Sequence, residues 1–106
     1  MQQDFEGRRV LITGGSAGLG LAAARMLASR GARVAIAARS EDKLHAAAET
    51  LRQATGADIL PVVCDVANAD DLTRLVGAVD QAWGGVDVLL ATATHLAGLP
   101  KKQAPR

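Results

Sequence analysis

Short apolar runs and amphipathic stretches alternate along the whole chain. Arg8 to Thr13 is a compact apolar run suited to a buried strand. The Ala-rich stretch from about Ala17 to Arg30 suits a helix, with Leu19, Ala23, Met26 and Leu27 at helical spacing as its buried face and Gly31 as its stop. Arg33 to Ala38 predicts a second strand. Ser40 then stands as an N-cap, with Glu41 and Asp42 in the first turn of a second helix that Leu44, Ala47, Ala48 and Leu51 line and Gly56 closes. Ile59 to Cys64 predicts a third strand, and Pro61 within it predicts a place at the sheet edge. Asn68 caps a third helix, with Asp71 three residues on, as in a capping box with a shorter acid. Leu72, Leu75, Val76, Val79 and Trp83 form its apolar face, and Gly84-Gly85 stop it before a fourth strand from Val86 to about Ala91.

Strict alternation of strands with helices long enough to cross over predicts an α/β fold with a parallel sheet and right-handed connections. The 106 residues suffice for one core, and an apolar fraction of 49% predicts that the chain folds. A net charge of +1 gives no reason to invoke nucleic acid or a membrane surface. One cysteine, Cys64, excludes an internal disulfide and fits a reducing compartment. The polar first residues hold no signal-peptide core, so a cytoplasmic location is expected. His45 reads as a surface residue, and His95 belongs to a basic stretch without periodicity. These two and Cys64 lack metal-site spacing.

The candidate chemistry centres on Thr13 to Gly20, Thr-Gly-Gly-Ser-Ala-Gly-Leu-Gly, on the turn between the first strand and the first helix. Gly14, Gly18 and Gly20 permit unusual backbone angles and close approach of a ligand to the main chain. The helix start beyond them offers unpaired N–H groups and partial positive charge, which suit a pyrophosphate. The spacing is G-x-x-x-G-x-G. With Thr13 it resembles the cofactor loop of the short-chain dehydrogenase/reductase family, T-G-x-x-x-G-x-G.

That resemblance implies a Rossmann-like, four-stranded parallel sheet in the order 3-2-1-4 with three crossover helices, an incomplete doubly wound fold. The first two helices would cover one face and the third the other. It implies a nicotinamide dinucleotide held by Gly14, Ser16, Gly18, Leu19, Gly20, Arg39, Ser40, Asp65 and Val66. In dinucleotide folds an acid at the end of the second strand binds the ribose hydroxyls of NAD, and an arginine accommodates the 2′-phosphate of NADP. Ala38-Arg39 supplies no acid and one guanidinium, so NADP is expected ahead of NAD; the alternative is an ordinary solvated arginine at a strand end. Asp65-Val66 matches the family's pair beside the adenine, with the carboxylate near the exocyclic amine. Asp65 can equally help cap the helix ahead, and both roles are compatible.

Asp87-Val88-Leu89-Leu90 resembles the family's fourth strand, which continues into Asn-Asn-Ala-Gly. Here Ala91, Thr92, Ala93 and Thr94 follow, and only Ala93 agrees. The family's proton transfer uses a serine and a Tyr-x-x-x-Lys helix; this chain has no tyrosine. We therefore expect a partial dinucleotide-binding domain over 1–94 with a basic tail over 95–106, without carbonyl reduction of its own. A truncated or frameshifted oxidoreductase, a stand-alone nucleotide-binding module and one half of a split enzyme are the competing readings. A fourth strand without its next neighbour predicts self-association through that edge.

Overall fold

The computed structural model describes residues 4–14 and 16–91. Seven elements follow one another: β1 (Arg9–Thr13), α1 (Gly18–Ser29), β2 (Arg33–Ala38), α2 (Glu41–Thr55), β3 (Ile59–Val63), α3 (Ala69–Trp83) and β4 (Val88–Ala91). All strand pairs are parallel, in the order β3-β2-β1-β4. Pro61 lies on the edge strand β3, where a missing N–H costs no ladder bond on the open side.

Alternation along the strands separates two apolar layers. Val10, Ile12, Val34, Ile36 and Ile59 face α1 and α2, where they meet Ala24, Leu27, Ala28, Leu44, Ala47, Ala48 and Leu51. Leu11, Ala35 and Ala37 face the other way and meet Leu75 and Val79 of α3, together with Cys64. Two helices on one face and one on the other is the expected arrangement. Phe5 packs against the first layer, and its N–H donates to the Arg30 carbonyl at 3.1 Å. Each fully buried leucine in these layers contributes about 1.5–3 kcal/mol relative to exposure.

The ends of α2 and α3 follow from their sequences. Ser40 and Asn68 cap the two helices from their side chains, and Gly56 and Gly84 close them in the left-handed region at φ 72° and 81°. Asp71 departs from the expected capping box. Its carboxylate reaches past Asn68 to the N–H of Asp65. The strands also begin or end a residue or two inside the expected limits, β1 at Arg9, β3 at Val63 and β4 at Val88. The turn through Gly84 and Gly85 runs on through Val86 and Asp87 before the β4 ladder starts at Val88.

Two helix faces differ from expectation. In α1 the buried residues are Gly20, Ala24, Leu27 and Ala28, one position on from the expected stripe, and Leu19 and Met26 are exposed. Gly20, Ala24 and Ala28 recur every four residues and form a flat strip that lets the helix backbone approach the sheet. The larger Leu19 and Met26 turn outward. In α3 only Leu75 and Val79 are buried. Trp83 is half-buried, while Leu72 and Val76 lie open. Helix α3 packs over β3 and the facing side chains of β2 and β1, and among the described residues it does not reach over Leu89 of β4. Leu89, which pairs with Leu11 and points to the same face, is 61% exposed.

A polar clamp fixes β4 to β1 at their amino ends. The Arg9 main-chain N–H and Nε both donate to Asp87 Oδ2, at 2.8 and 3.1 Å, and Nη2 donates to Oδ1 at 3.0 Å. Arg9 Nη1 also reaches the Trp83 carbonyl at 3.2 Å, so the guanidinium joins the end of α3 to both strands. It holds the Asp87 carboxyl well below the usual carboxylate range, at about 2.

Candidate functional site

The carboxyl ends of the strands lie side by side. Thr13 pairs with Ala37 and with Ala91, and Ala38 pairs with Val63. In open parallel sheets this edge is where ligands bind, at the point where the strand order reverses. Here the reversal falls between β1, whose successor β2 lies on one side, and β4 on the other. All nine residues singled out from the sequence follow the carboxyl end of β1, β2 or β3.

After β1 the chain turns sharply. Gly14 has φ 76° and donates its N–H to the Ala37 carbonyl at 2.8 Å, so the loop begins by fastening itself to β2. Ser16 is half-buried and Ala17 is extended. Helix α1 begins at Gly18, with φ 60°, and its first internal bond runs from the Leu21 N–H to the Ala17 carbonyl at 3.3 Å. The N–H groups of Gly18, Leu19 and Gly20 precede that bond. The N-cap residue Ala17 provides no side-chain cap, and no acid lies in the first turn. By contrast α2 and α3 each carry a capping side chain and two first-turn acids. A Cβ at Gly18 would meet nothing within 4 Å, so the main chain there faces open space. Leu19 stands 81% exposed at the same place, while Gly20 is buried against the sheet.

After β2, Arg39 and Ser40 are exposed. Ser40 Oγ accepts from the Lys43 N–H at 3.4 Å as the α2 cap. After β3, the Cys64 N–H donates to the Ala38 carbonyl at 2.9 Å and prolongs the pairing with β2. The Cys64 side chain is buried, and burial pushes its thiol up. Asp65 is half-buried and Val66 exposed. Asp65 Oδ1 accepts from the Ala67 N–H at 3.0 Å, so the carboxylate closes the turn ahead of α3, whose side-chain cap is Asn68. Two strand spacings separate the ends of β1 and β3, about 10 Å.

Sequence reasoning missed the part Asp71 plays here. The carboxylate accepts from the Asp65 N–H at 2.9 Å and pairs with Arg74. These two partners hold its carboxyl below the ordinary range, the Asp65 N–H foremost. The signal available was only an acid three residues after a cap. His45 is exposed on α2 beside Glu41. Among the described residues no group of three or more His, Cys, Asp or Glu side chains could hold a metal ion, and no helix is long and apolar enough to cross a membrane. Residues 92–106, including Thr94 and the basic tail, lie outside the described residues.

The model of the short chain dehydrogenase family matches residues 8–105. Glucose 1-dehydrogenase of Gluconobacter oxydans strain 621H is 42% identical over 91 residues, which are 86% of this chain and 34% of that protein. The structure of L-sorbose reductase from Gluconobacter frateurii, complexed with NADPH and L-sorbose, superposes with a TM-score of 0.80 at 38% identity. It covers 84% of this chain and 34% of that one. NAD+-bound xylitol dehydrogenase superposes with a TM-score of 0.77 at 30% identity, over 80% of this chain and 32% of its own. The chain belongs to the short-chain dehydrogenase family. It spans about a third of the length of these relatives. The family match runs on past Leu90, where the individual motifs cease to agree.

Proposed function

We propose that this chain is the cofactor-holding part of an NADP-dependent oxidoreductase. The carrying observation is the start of α1. Its N-cap residue, Ala17, makes no side-chain cap, its first turn holds no acid, and it follows a glycine turn whose main chain at Gly18 faces open space. The other two helix starts are satisfied by their own residues. A pyrophosphate fits the first environment: main-chain N–H groups donate to it, and the helix end favours its charge. Gly14, Ser16, Gly18, Leu19 and Gly20 would hold the pyrophosphate, Arg39 and Ser40 the adenosine 2′-phosphate, and Asp65 and Val66 the adenine. These residues would hold a cofactor whose nicotinamide would supply hydride chemistry toward a carbonyl or alcohol. NADPH in L-sorbose reductase and NAD+ in xylitol dehydrogenase support a nicotinamide dinucleotide. Arg39, with Ala38 rather than an acid before it, favours NADP.

With no tyrosine in its 106 residues, the chain alone lacks the family's proton donor, and no carbonyl reduction is expected from it. The exposed Leu89, and β4 standing at the sheet edge among the described residues, support self-association through that strand.

Calorimetry with adenosine 2′,5′-bisphosphate and AMP tests the cofactor reading. The 2′-phosphate adds at least one charge-assisted contact, so the bisphosphate should bind about 10–100-fold tighter. Arg39→Asp should reverse the order. Equal affinities in the wild type would refute the assignment of Arg39.

A further inference from the structure

Four hydrogen bonds close the turn between β3 and α3. Asp65 Oδ1 accepts from the Ala67 N–H at 3.0 Å, and the Asp65 carbonyl accepts from the Asn68 N–H at 2.9 Å. Asn68 Oδ1 accepts from the Asp71 N–H at 2.9 Å, and Asp71 Oδ2 accepts from the Asp65 N–H at 2.9 Å. The last bond returns from the first turn of α3 to the end of β3. It satisfies a part-buried main-chain donor that lies one residue beyond the last bond to β2. Arg74, on the next turn of α3, pairs with Asp71 and offsets its charge, so a second carboxylate can stand beside Asp65. Asp65 is thereby fixed at both its main chain and one carboxylate oxygen. Its Oδ2 accepts no hydrogen bond from the described residues.

We propose that Asp71 is the positioning residue of the adenine end of the site, holding the Asp65 main chain so that the Asp65 carboxylate stays presented to the exocyclic amine of a bound adenine. The proposal rests on the cofactor reading above. It assigns Asp71 no contact with the ligand. Its effect passes through Asp65, and it concerns discrimination of the base rather than grip on the phosphates.

The test is titration of the chain with NADP+ and with its hypoxanthine analogue, which carries a carbonyl in place of the amine. The wild type should prefer NADP+ by about tenfold or more, the net worth of one hydrogen bond to a charged group. Asp71→Ala should lose most of that preference by weakening NADP+ binding while leaving the analogue unchanged. A general loosening of the fold would weaken both ligands alike. Asp71→Asn keeps an acceptor for the Asp65 N–H and should retain most of the wild-type ratio. Arg74→Met removes only the exposed partner of Asp71 and should lower the ratio part of the way, which keeps the test decisive if Asp71→Ala does not fold. Fluorescence of Trp83, the sole tryptophan and on the same helix, reports whether α3 stays docked. An unchanged ratio in both Asp71→Ala and Arg74→Met, or a wild type that binds the two dinucleotides equally, overturns the role of Asp71 alone. A wild type that binds neither overturns the cofactor reading and this proposal with it.

Discussion

Gly18 and Gly56 make a matched pair that separates backbone strain from ligand contact. Both are left-handed, at φ 60° and 72°, and a Cβ at either would meet nothing within 4 Å. Gly18 opens α1 at the carboxyl edge of the sheet, whereas Gly56 closes α2 and leads into β3 at the amino edge. Valine at either position therefore adds conformational strain without a clash. That strain is about 1–2 kcal/mol for an L-residue, toward the upper end for a β-branched one. In a domain of this size each kcal/mol lowers the melting temperature by about 4–8 °C, so both variants should melt roughly 5–15 °C below the wild type. Their binding should differ. At Gly18 the branched side chain fills the open space beside the leading N–H groups of α1. Loss of two charge-assisted contacts at about 1.5–3 kcal/mol each weakens binding by at least about 100-fold. Circular dichroism melts and calorimetry with NADP+ on Gly18→Val and Gly56→Val read the two effects separately. Undiminished binding by Gly18→Val, or an equal loss in Gly56→Val, would refute the reasoning.

Two further outcomes follow from the amino edge and from β4. The Arg9 clamp lowers the folded Asp87 carboxyl from an ordinary 3.8 to about 2, so the stability it contributes is fully present above about pH 4 and is lost as pH falls toward 2. Melting temperature should drop across that window, less steeply in Asp87→Asn, where the lowered Asp71 still contributes; identical acid profiles for the two proteins would count against the clamp. Self-association through β4 should appear as a concentration-dependent mass in sedimentation, reduced by Leu89→Lys, and a monomer at every concentration would contradict it.

How legible the molecule was depends on the range of the interaction concerned. Ser40, Gly56, Asn68 and Gly84 act within a turn of their own positions, and each does what its residue type dictates. Pro61 placed β3 at the edge because a missing donor is a local fact with a global consequence. The faces of α1 and α3 required knowing what lies opposite. Helical spacing identifies an apolar stripe, but close packing preferred the small strip of Gly20, Ala24 and Ala28 over the larger Leu19 and Met26. In α3 the apolar stripe is wider than the part of it that is buried: Leu75 and Val79 meet the sheet, while Leu72 and Val76 are left exposed. Arg9 and Asp87 stand 78 positions apart, and only the β1–β4 register brings them together. The candidate site was legible as a motif because its glycines, Arg39 and Asp65 each follow a strand that periodicity alone reveals. Asp71 was not, since an acid in a first turn ordinarily serves its own helix.

The most direct test of the cofactor reading is an amide-resolved NMR titration of the chain with NADPH. Binding at the carboxyl edge should move the resonances of Gly14, Gly18, Leu19, Gly20, Arg39, Ser40, Asp65 and Val66, and leave those of Arg9, Gly56, Gly84 and Asp87 at the opposite edge in place. Shifts confined to the amino edge, or none with NADPH in large excess, would contradict the account.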